Sequence, residues 1–365
     1  MSLYKIILLT SEFPPQPGGI GNHAYNLARE LNKKGYCVKV LCDRRSSQGE
    51  EENIFDTCLD FEVIRIPRRN IMLISYWHRI IEAYKLAGRC EVFIASGKFP
   101  LWLGALLSLF FQKEYIAVIH GSEVLLPNKL LRKITDLSLK KFDKVIAVSN
   151  YTRSLIASLK LKKVEVIHNG FSAQCQVEER KEKPMIPILV TIGNVNRRKG
   201  QHNVISSLPM LLKKYPDLQY RIIGIPTEKD RLQELAIELN VEKSIKFYGV
   251  VEEAEKCKLL LTSNIFIMLS ETTLTGDVEG FGIAILEANS LGIPAVGAKG
   301  CGIEEAIKDG FSGLLVNNKE PQEILTSIDH IMQNYEEFSN NAREWSANFL
   351  WKQVINQYIE IIETK

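Results

Sequence analysis

The sequence predicts an α/β protein of two doubly wound domains, and three observations carry that expectation. Short apolar runs alternate with segments of helical spacing along nearly the whole chain, the pattern of parallel strands joined by crossover helices. The alternation breaks at Ser172–Pro187, a polar and charged stretch holding Pro184 and Pro187, and restarts at Ile188, so this segment reads as an interdomain linker. The 365 residues suffice for two ordinary cores. The expected domains are residues 1–175 and 186–348.

Composition narrows the class. A hydrophobic fraction of 45% is that of a soluble globular enzyme, and no apolar run is long enough to span a bilayer. Leu101–Phe111, the most apolar stretch, reads as a buried helix. Met1–Ser11 is strand-like, with no charged leader or small-residue cleavage site, so a cytoplasmic location is expected. A net charge of +3 makes no case for nucleic acid. The seven cysteines (Cys37, Cys42, Cys58, Cys90, Cys175, Cys257 and Cys301) lack a CxxC or regular spacing, which favours reduced, mostly buried thiols over a disulfide frame or zinc site. The six histidines include no HExxH, and no metal site is expected.

In the first domain, Tyr4–Leu9 is the opening strand. It feeds S-E-F-P-P-Q-P-G-G-I-G-N-H (Ser11–His23), then a helical pattern through Leu27, Leu31 and Lys34, stopped at Gly35 before a strand at Cys37–Cys42. This is a βαβ unit opening on a glycine-rich loop. Gly18, Gly19 and Gly21 do not form GxGxxG, so two uses stay open: backbone amides facing a phosphate or acceptor, or a tight turn. Strands follow at Phe61–Ile66, Glu91–Ala95 and Tyr115–Ile119, with a helix at Ser75–Leu86. The last of these strands ends in His120-Gly121-Ser122-Glu123, placing His120 at the strand edge where open α/β sheets bind ligands. Its imidazole there either bonds a sugar hydroxyl or plays a structural part.

Lys129–Phe142 is amphipathic and basic. Leu130, Leu131, Ile134, Leu137 and Leu139 supply apolar surface, and Arg132, Lys133, Lys140 and Lys141 lie on or near the polar side. A core-packing helix with a solvated basic face is the ordinary reading, and contact with an anionic membrane surface is the alternative. Arg65, Arg68 and Arg69 form a second basic group. Lys144–Val148, a helix at Tyr151–Leu159 capped by Ser149, and Val164–Ile167 complete the domain.

In the second domain, Ile188–Ile192 leads into G-N-V-N-R-R-K-G (Gly193–Gly200) and a helix holding Val204, Ile205, Leu208, Leu211 and Leu212. Arg197, Arg198 and Lys199 suit a diphosphate clamp, since ammonium and guanidinium groups match phosphate oxygens; solvated loop cations are the alternative. Further strands are expected at Tyr220–Gly224, Ile245–Tyr248, Ile265–Leu269 and Ala295–Gly297, then a turn and strand at Asp309–Val316. The chain from Pro321 to Lys365 reads as largely helical. Gly249, directly after a strand, suits close passage of a base or ribose.

The stretch from Leu269 to Ala298 concentrates the chemistry. A strand, a polar loop with glycines and a helix opening at Gly282 follow one another, and free amides at a helix start form an anion site. Glu279 precedes the glycines, and Glu287 lies in the second turn of the helix, about 7.5 Å along its axis from Gly282. The two carboxylates are thus placed to face opposite ends of a bound diphosphate, or are simply solvated.

Taken in chain order, P-P-Q-P-G-G-I-G, H-G-S-E, V-S-N-Y-T-R, V-I-H-N-G, R-K-G, F-Y-G, E-G-F-G-I-A-I-L-E and L-E-A-N-S-L-G-I-P resemble the motifs of the retaining GT-B glycosyltransferases of family four, over nearly the whole chain. The wording G-D-V-E-G-F-G-I is similar to bacterial mannosyltransferases acting on phosphoinositide lipids. The resemblance implies two Rossmann-like domains facing across a cleft, with the last helix, about 350–365, packing back on the first. It implies that Glu287 holds the ribose hydroxyls, that Glu279 lies at the donor sugar, and that the amides of Gly280, Phe281 and Gly282 contact sugar hydroxyls or diphosphate. Lys199 matches the phosphate-binding lysine, Gly19 would lie near the donor diphosphate or acceptor, and His120 would contact the donor sugar. The catalytic set is then His120, Glu279 and Lys199. One position departs from the pattern: Asn194 stands where the family usually has arginine, and Arg197 or Arg198 is the replacement.

The activity so implied is retaining, metal-independent transfer of a hexose, with a lean to mannose, from a GDP- or UDP-sugar. The acceptor is a glycan or lipid-linked precursor in cell-surface polysaccharide biosynthesis, lipopolysaccharide included, at the inner face of the membrane, without a cofactor. A nucleotide-sugar-binding assembly protein without turnover and a sugar-nucleotide epimerase are the alternatives. A nicotinamide dehydrogenase lacks its GxGxxG after the first strand.

Overall fold

The computed structural model describes residues 5–46, 48–67, 72–173, 175 and 186–364. Arg68, Arg69 and most of the expected linker (174 and 176–185) lie outside the described residues. The chain divides into two compact units, Met1–Gly170 with Trp351–Lys365, and Phe171–Leu350.

Unit 1 is built on β1 (Lys5–Thr10), β2 (Cys37–Asp43), β3 (Glu62–Ile66), β4 (Val92–Ser96), β5 (Glu114–Ile119), β6 (Lys144–Ala147) and β7 (Val164–Val166). They form one parallel sheet in the order β3-β2-β1-β4-β5-β6-β7. All five residues of β4 are buried, as expected of a parallel strand covered on both faces. The strand order reverses between β1 and β4, so the loops after these two strands leave the sheet in opposite directions and open a crevice at its C-terminal edge.

Unit 2 repeats the plan with β8 (Ile188–Ile192), β9 (Gln219–Ile223), β10 (Ile245–Gly249), β11 (Ile265–Met268), β12 (Ala295–Ala298) and β13 (Gly313–Val316). The order is β10-β9-β8-β11-β12-β13, again parallel, and the reversal falls between β8 and β11. Every expected strand is present, with ends moved by a residue or so. Helix Trp351–Glu363 packs within unit 1, burying Trp351, Val354, Ile355, Tyr358, Ile361 and Ile362. Its last carbonyls are partly capped by Lys144, whose Nζ donates to Ile361 O at 2.6 Å and to Thr364 O. Gly170 makes room for this helix, since a Cβ there would stand 2.6 Å from the Trp351 ring.

Three expectations are corrected. The apolar stretch Leu101–Phe111 is a helix only over Lys98–Leu107; the chain then turns and leaves Leu109 and Phe110 exposed. The basic helix, Lys129–Leu139, turns only part of its apolar surface inward: Leu139 is buried and Leu131 half-buried, but Leu130, Ile134 and Leu137 are exposed while Thr135 and Ser138 are buried. The reason is local. Trp102 on the neighbouring helix needs an acceptor for its indole N–H, and Thr135 Oγ1 takes that bond at 2.9 Å while donating to Leu131 O. Third, Cys175 and Cys257 form a disulfide with Cα atoms 5.7 Å apart across 82 residues, a separation no spacing rule reveals. Cys42, Cys90 and Cys301 are buried thiols, whereas Cys37 and Cys58 are exposed. Among the described residues no helix is long and apolar enough to cross a membrane.

Candidate functional site

In unit 2 the site grows from the switch point. The loop after β8 closes in a short 3-10 turn, Arg197–Lys199, capped by the Asn196 side chain, which accepts from Lys199 N at 3.2 Å. Gly200 ends that turn at φ +73, and an added Cβ would stand 1.8 Å from Leu269 O. Only glycine lets the loop after β8 press against the end of β11. That approach brings Lys199 Nζ to 2.9 Å from Glu279 Oε2, and the same oxygen accepts from Arg198 Nη1. Arg198 Nε also lies 3.1 Å from Asp277 Oδ2. Arg197 turns the other way, its Nε donating to Glu271 Oε1 at 2.7 Å. Of the two arginines proposed to replace the one missing at Asn194, Arg198 joins the lysine; Asn194 itself is exposed, its carbonyl accepting from Gln201.

Glu279 opens the loop that ends in Gly282, the N-cap of helix Ile283–Ser290, at φ +91. The first amides of that helix have no intrahelical partner and carry its positive end. The loop is held from behind: Gly302 N donates to Glu279 O at 3.2 Å, and a Cβ at Gly302 would collide with Gly280 O at 2.3 Å. Phe281 is a core anchor, its ring buried 5.7 Å from that of Phe349, so only its backbone is available to a ligand. Burial alone would push the Glu279 carboxyl up, but Lys199 and Arg198 outweigh it and hold the group below the ordinary carboxylate range.

Glu287 lies one turn further along, with Lys256 Nζ 3.7 Å away. Burial pushes its carboxyl up against the pull of Lys256. It lines a small cavity with Ser172, Cys175, Glu253 and Ser290, so the Cys175–Cys257 bridge forms part of the wall beside it. Gly249, at φ +71, has open space where a Cβ would point. Glu279 with its cations and Glu287 with Lys256 thus bracket the start of one helix, a cationic and amide-rich end and an end carrying a carboxyl raised by burial.

Unit 1 holds a different arrangement. Gly19 opens helix Gly19–Lys33, and nothing lies within 4 Å of a Cβ placed on it. One turn on, His23 packs edge-on against His120, ring centroids 5.0 Å apart. His120 shares a 2.9 Å hydrogen bond through Nε2 with Ser96 Oγ, and its backbone N–H donates to Glu123 Oε1 at 2.7 Å. His23 Nε2 meets Tyr358 Oη at 2.9 Å. Burial lowers both imidazoles, His120 to about 4, and the neighbouring His120 adds to the effect at His23. Both are neutral at pH 7, hydrogen-bonding groups rather than proton donors. His23, Ser96, Glu123 and Tyr358 were not singled out from the sequence. The i, i+4 spacing of Gly19 and His23 was a usable signal for one of them; Tyr358 lies 335 residues from its partner and offered none.

Among the described residues one group of three potential metal ligands is drawn together, Cys175, Glu253 and Cys257, and its two sulfurs are bonded to each other.

The family model for glycosyl transferases group 1 matches residues 175–345, and that for glycosyltransferase family 4 matches residues 17–174. The chain is 26% identical over 348 residues to a GDP-mannose-dependent alpha-(1-6)-phosphatidylinositol monomannoside mannosyltransferase of Mycolicibacterium smegmatis, covering 90% of this chain and 89% of the relative. In fold it is similar to Anabaena HepE, solved in complex with UDP and glucose, at a TM-score of 0.82 and 19% identity over the whole of both chains. It is similar also to sucrose-phosphate synthase from Thermosynechococcus elongatus, at 0.80 and 17% identity, covering 99% of this chain and 98% of that one.

Proposed function

The chain belongs to the glycosyltransferases that these two family models describe and has the GT-B fold, and from that premise we propose that it moves a hexose, mannose in our reading, from a GDP-sugar to a glycan or lipid-linked acceptor. UDP is the second base. Transfer proceeds with retention of anomeric configuration and without a metal ion.

The observation that carries this reading is the convergence of Lys199 and Arg198 on Glu279 directly before the helix start at Gly282. Departure of a nucleoside diphosphate from a sugar leaves negative charge on the diphosphate, and two cations plus free helix amides stabilise charge where it develops. A bound diphosphate would share these cations with Glu279, whose carboxylate then accepts from the donor sugar's hydroxyls. Glu287 takes the ribose diol. His120, neutral, donates or accepts one hydrogen bond to the sugar. Retention follows a front-face course in which the leaving phosphate helps remove the acceptor's proton, so no protein nucleophile is assigned.

A lipid-linked acceptor at an anionic membrane is supported by helix Lys129–Leu139. Its exposed Leu130, Ile134 and Leu137 share the helix with Lys129, Arg132 and Lys133, and Lys140 and Lys141 follow directly. The mannosyltransferase of similar sequence acts, by its name, on a phosphatidylinositol glycolipid.

The test is incubation of the full chain with GDP-mannose and UDP-glucose, with and without candidate acceptors, followed by mass spectrometry and by NMR of the product's anomeric centre. Hexose transfer with retention supports the reading. Nucleotide binding with no product moves the chain to an assembly role, and an isomerised sugar nucleotide formed without acceptor makes it an epimerase.

A further inference from the structure

Beside the Lys199–Glu279 cluster, unit 2 carries a cavity of about 290 Å³ that the donor reading does not use. Its lining comes from the segments that follow four strands: Arg197 after β8, Ser270 and Glu271 after β11, Lys299 after β12, and Asn318 and Lys319 after β13. This is the sheet edge at which open α/β units bind ligands, and the volume is near the lower end for small-molecule pockets.

Two independent features mark it as built for an anion. The first is charge. Three cations face one carboxylate, a formal surplus of two positive charges, and Arg197 is committed to Glu271 at 2.7 Å. Lys319 lies near enough to Glu271 to help hold its carboxyl below the ordinary range, and within the described residues neither its ammonium nor that of Lys299 makes a close ion pair or hydrogen bond. The second is Ser270. It is 1% exposed, and its Oγ has no hydrogen-bond partner, although its carbonyl is fixed by Asn318 Nδ2 at 2.9 Å. A buried hydroxyl is rarely left unpaired, and Ser270 forms part of the cavity wall with its Oγ closed off just behind it.

We propose that this cavity is a second anion site, separate from the donor clamp, that takes the phosphate of a phosphomonoester. Lys299 and Lys319 match a dianion in charge, a turn of the Ser270 side chain would bring its hydroxyl to the ligand as a neutral donor, and the remaining space holds a body of roughly monosaccharide size. The site is coupled to the donor clamp by covalent geometry: Arg197 faces the cavity while Arg198 and Lys199 of the same turn face Glu279, and Glu271 N donates to Arg198 O at 3.1 Å. The phosphate is carried by a soluble sugar phosphate or by a lipid headgroup.

The test uses the full chain in two arms, mannose 6-phosphate by titration calorimetry and phosphatidic acid vesicles by sedimentation. Lys299→Ala/Lys319→Ala, both exposed positions, removes two charge-assisted bonds and is expected to weaken whichever probe binds by about tenfold or more. Lys199→Ala leaves that binding within about twofold, and mannose itself does not bind. Sugar-phosphate binding lost in the double variant assigns a soluble ligand, and vesicle binding lost in it assigns a headgroup. Equal binding by the wild type and the double variant, or no binding of either probe by the wild type, overturns the site. Stabilisation by GDP is read in parallel and stays unchanged in the double variant, so failure here is distinct from failure of the donor reading.

Discussion

The candidate residues of unit 2 are held by charge, and those of unit 1 by neutral hydrogen bonds and ring contacts. Around Glu279, two cations and a helix start meet one carboxylate; around His120, a serine and a second histidine, itself bonded to a tyrosine, meet one uncharged imidazole. Under the proposed function, unit 2 supplies the charge that a departing nucleoside diphosphate needs, and His120 in unit 1 supplies an uncharged hydrogen-bonding group. Charge clusters are strong, local and tolerant of small shifts, whereas a network of neutral hydrogen bonds depends on each ring's placement.

The largest effect that sharpens this contrast is expected at Lys199. Lys199→Ala should lower kcat for transfer by about 100-fold or more, as loss of a group facing developing charge does, with a smaller change in KM. Steady-state kinetics check this, and full activity would hand the role to Arg198. Next is Glu287→Ala, which should weaken nucleoside diphosphate binding by about 1.5–3 kcal/mol, measured by titration calorimetry. Unchanged affinity would remove Glu287 from the ribose site.

For unit 1 the sharper probe is pH. The folded value of His120 is depressed to about 4 from an ordinary 6.5, so as pH falls through 6.5 the unfolded chain takes up a proton that the folded chain refuses. Stability is therefore lost on acidification, by about 2 kcal/mol between pH 7 and pH 5 for this group alone. Denaturant unfolding of the wild type and His120→Gln at both pH values isolates it, because the variant should lack that part of the pH dependence. A pH dependence that is the same in both would show that His120 is not held neutral. The smallest effect is at the surface. Leu130→Ser/Ile134→Ser/Leu137→Ser should reduce sedimentation with anionic vesicles by roughly tenfold with the fold intact, and added salt should weaken what remains.

How legible each unit was in the sequence follows the same contrast. The strands of both sheets could be placed because buried parallel strands are apolar runs whose lengths are set by local sequence. Lys199, Glu279 and Gly282 lie within loops that directly follow strands, so their neighbourhood could be read from position alone. The pairing of Arg198 rather than Arg197 with Glu279 depended on which way a single 3-10 turn faces, and residue type does not encode that. The network around His120 was half hidden, since Tyr358 reaches His23 only through the packing of the last helix in unit 1. The orientation of helix Lys129–Leu139 was only partly legible: hydrophobicity puts Leu139 inside, as found, but the Trp102–Thr135 bond goes with an outward Leu130, Ile134 and Leu137. The Cys175–Cys257 bridge was missed because its two ends meet only in the folded unit.

A nucleoside diphosphate site built on Lys199, Arg198 and Glu279 can be probed by thermal stabilisation of the full chain with GDP, UDP, ADP and NAD, with and without magnesium, in wild type and Lys199→Ala. A shift with GDP, or with UDP as the second base, is expected, indifferent to magnesium and much reduced in the variant. A shift with NAD alone, or a nucleoside diphosphate shift that Lys199→Ala leaves intact, would contradict it.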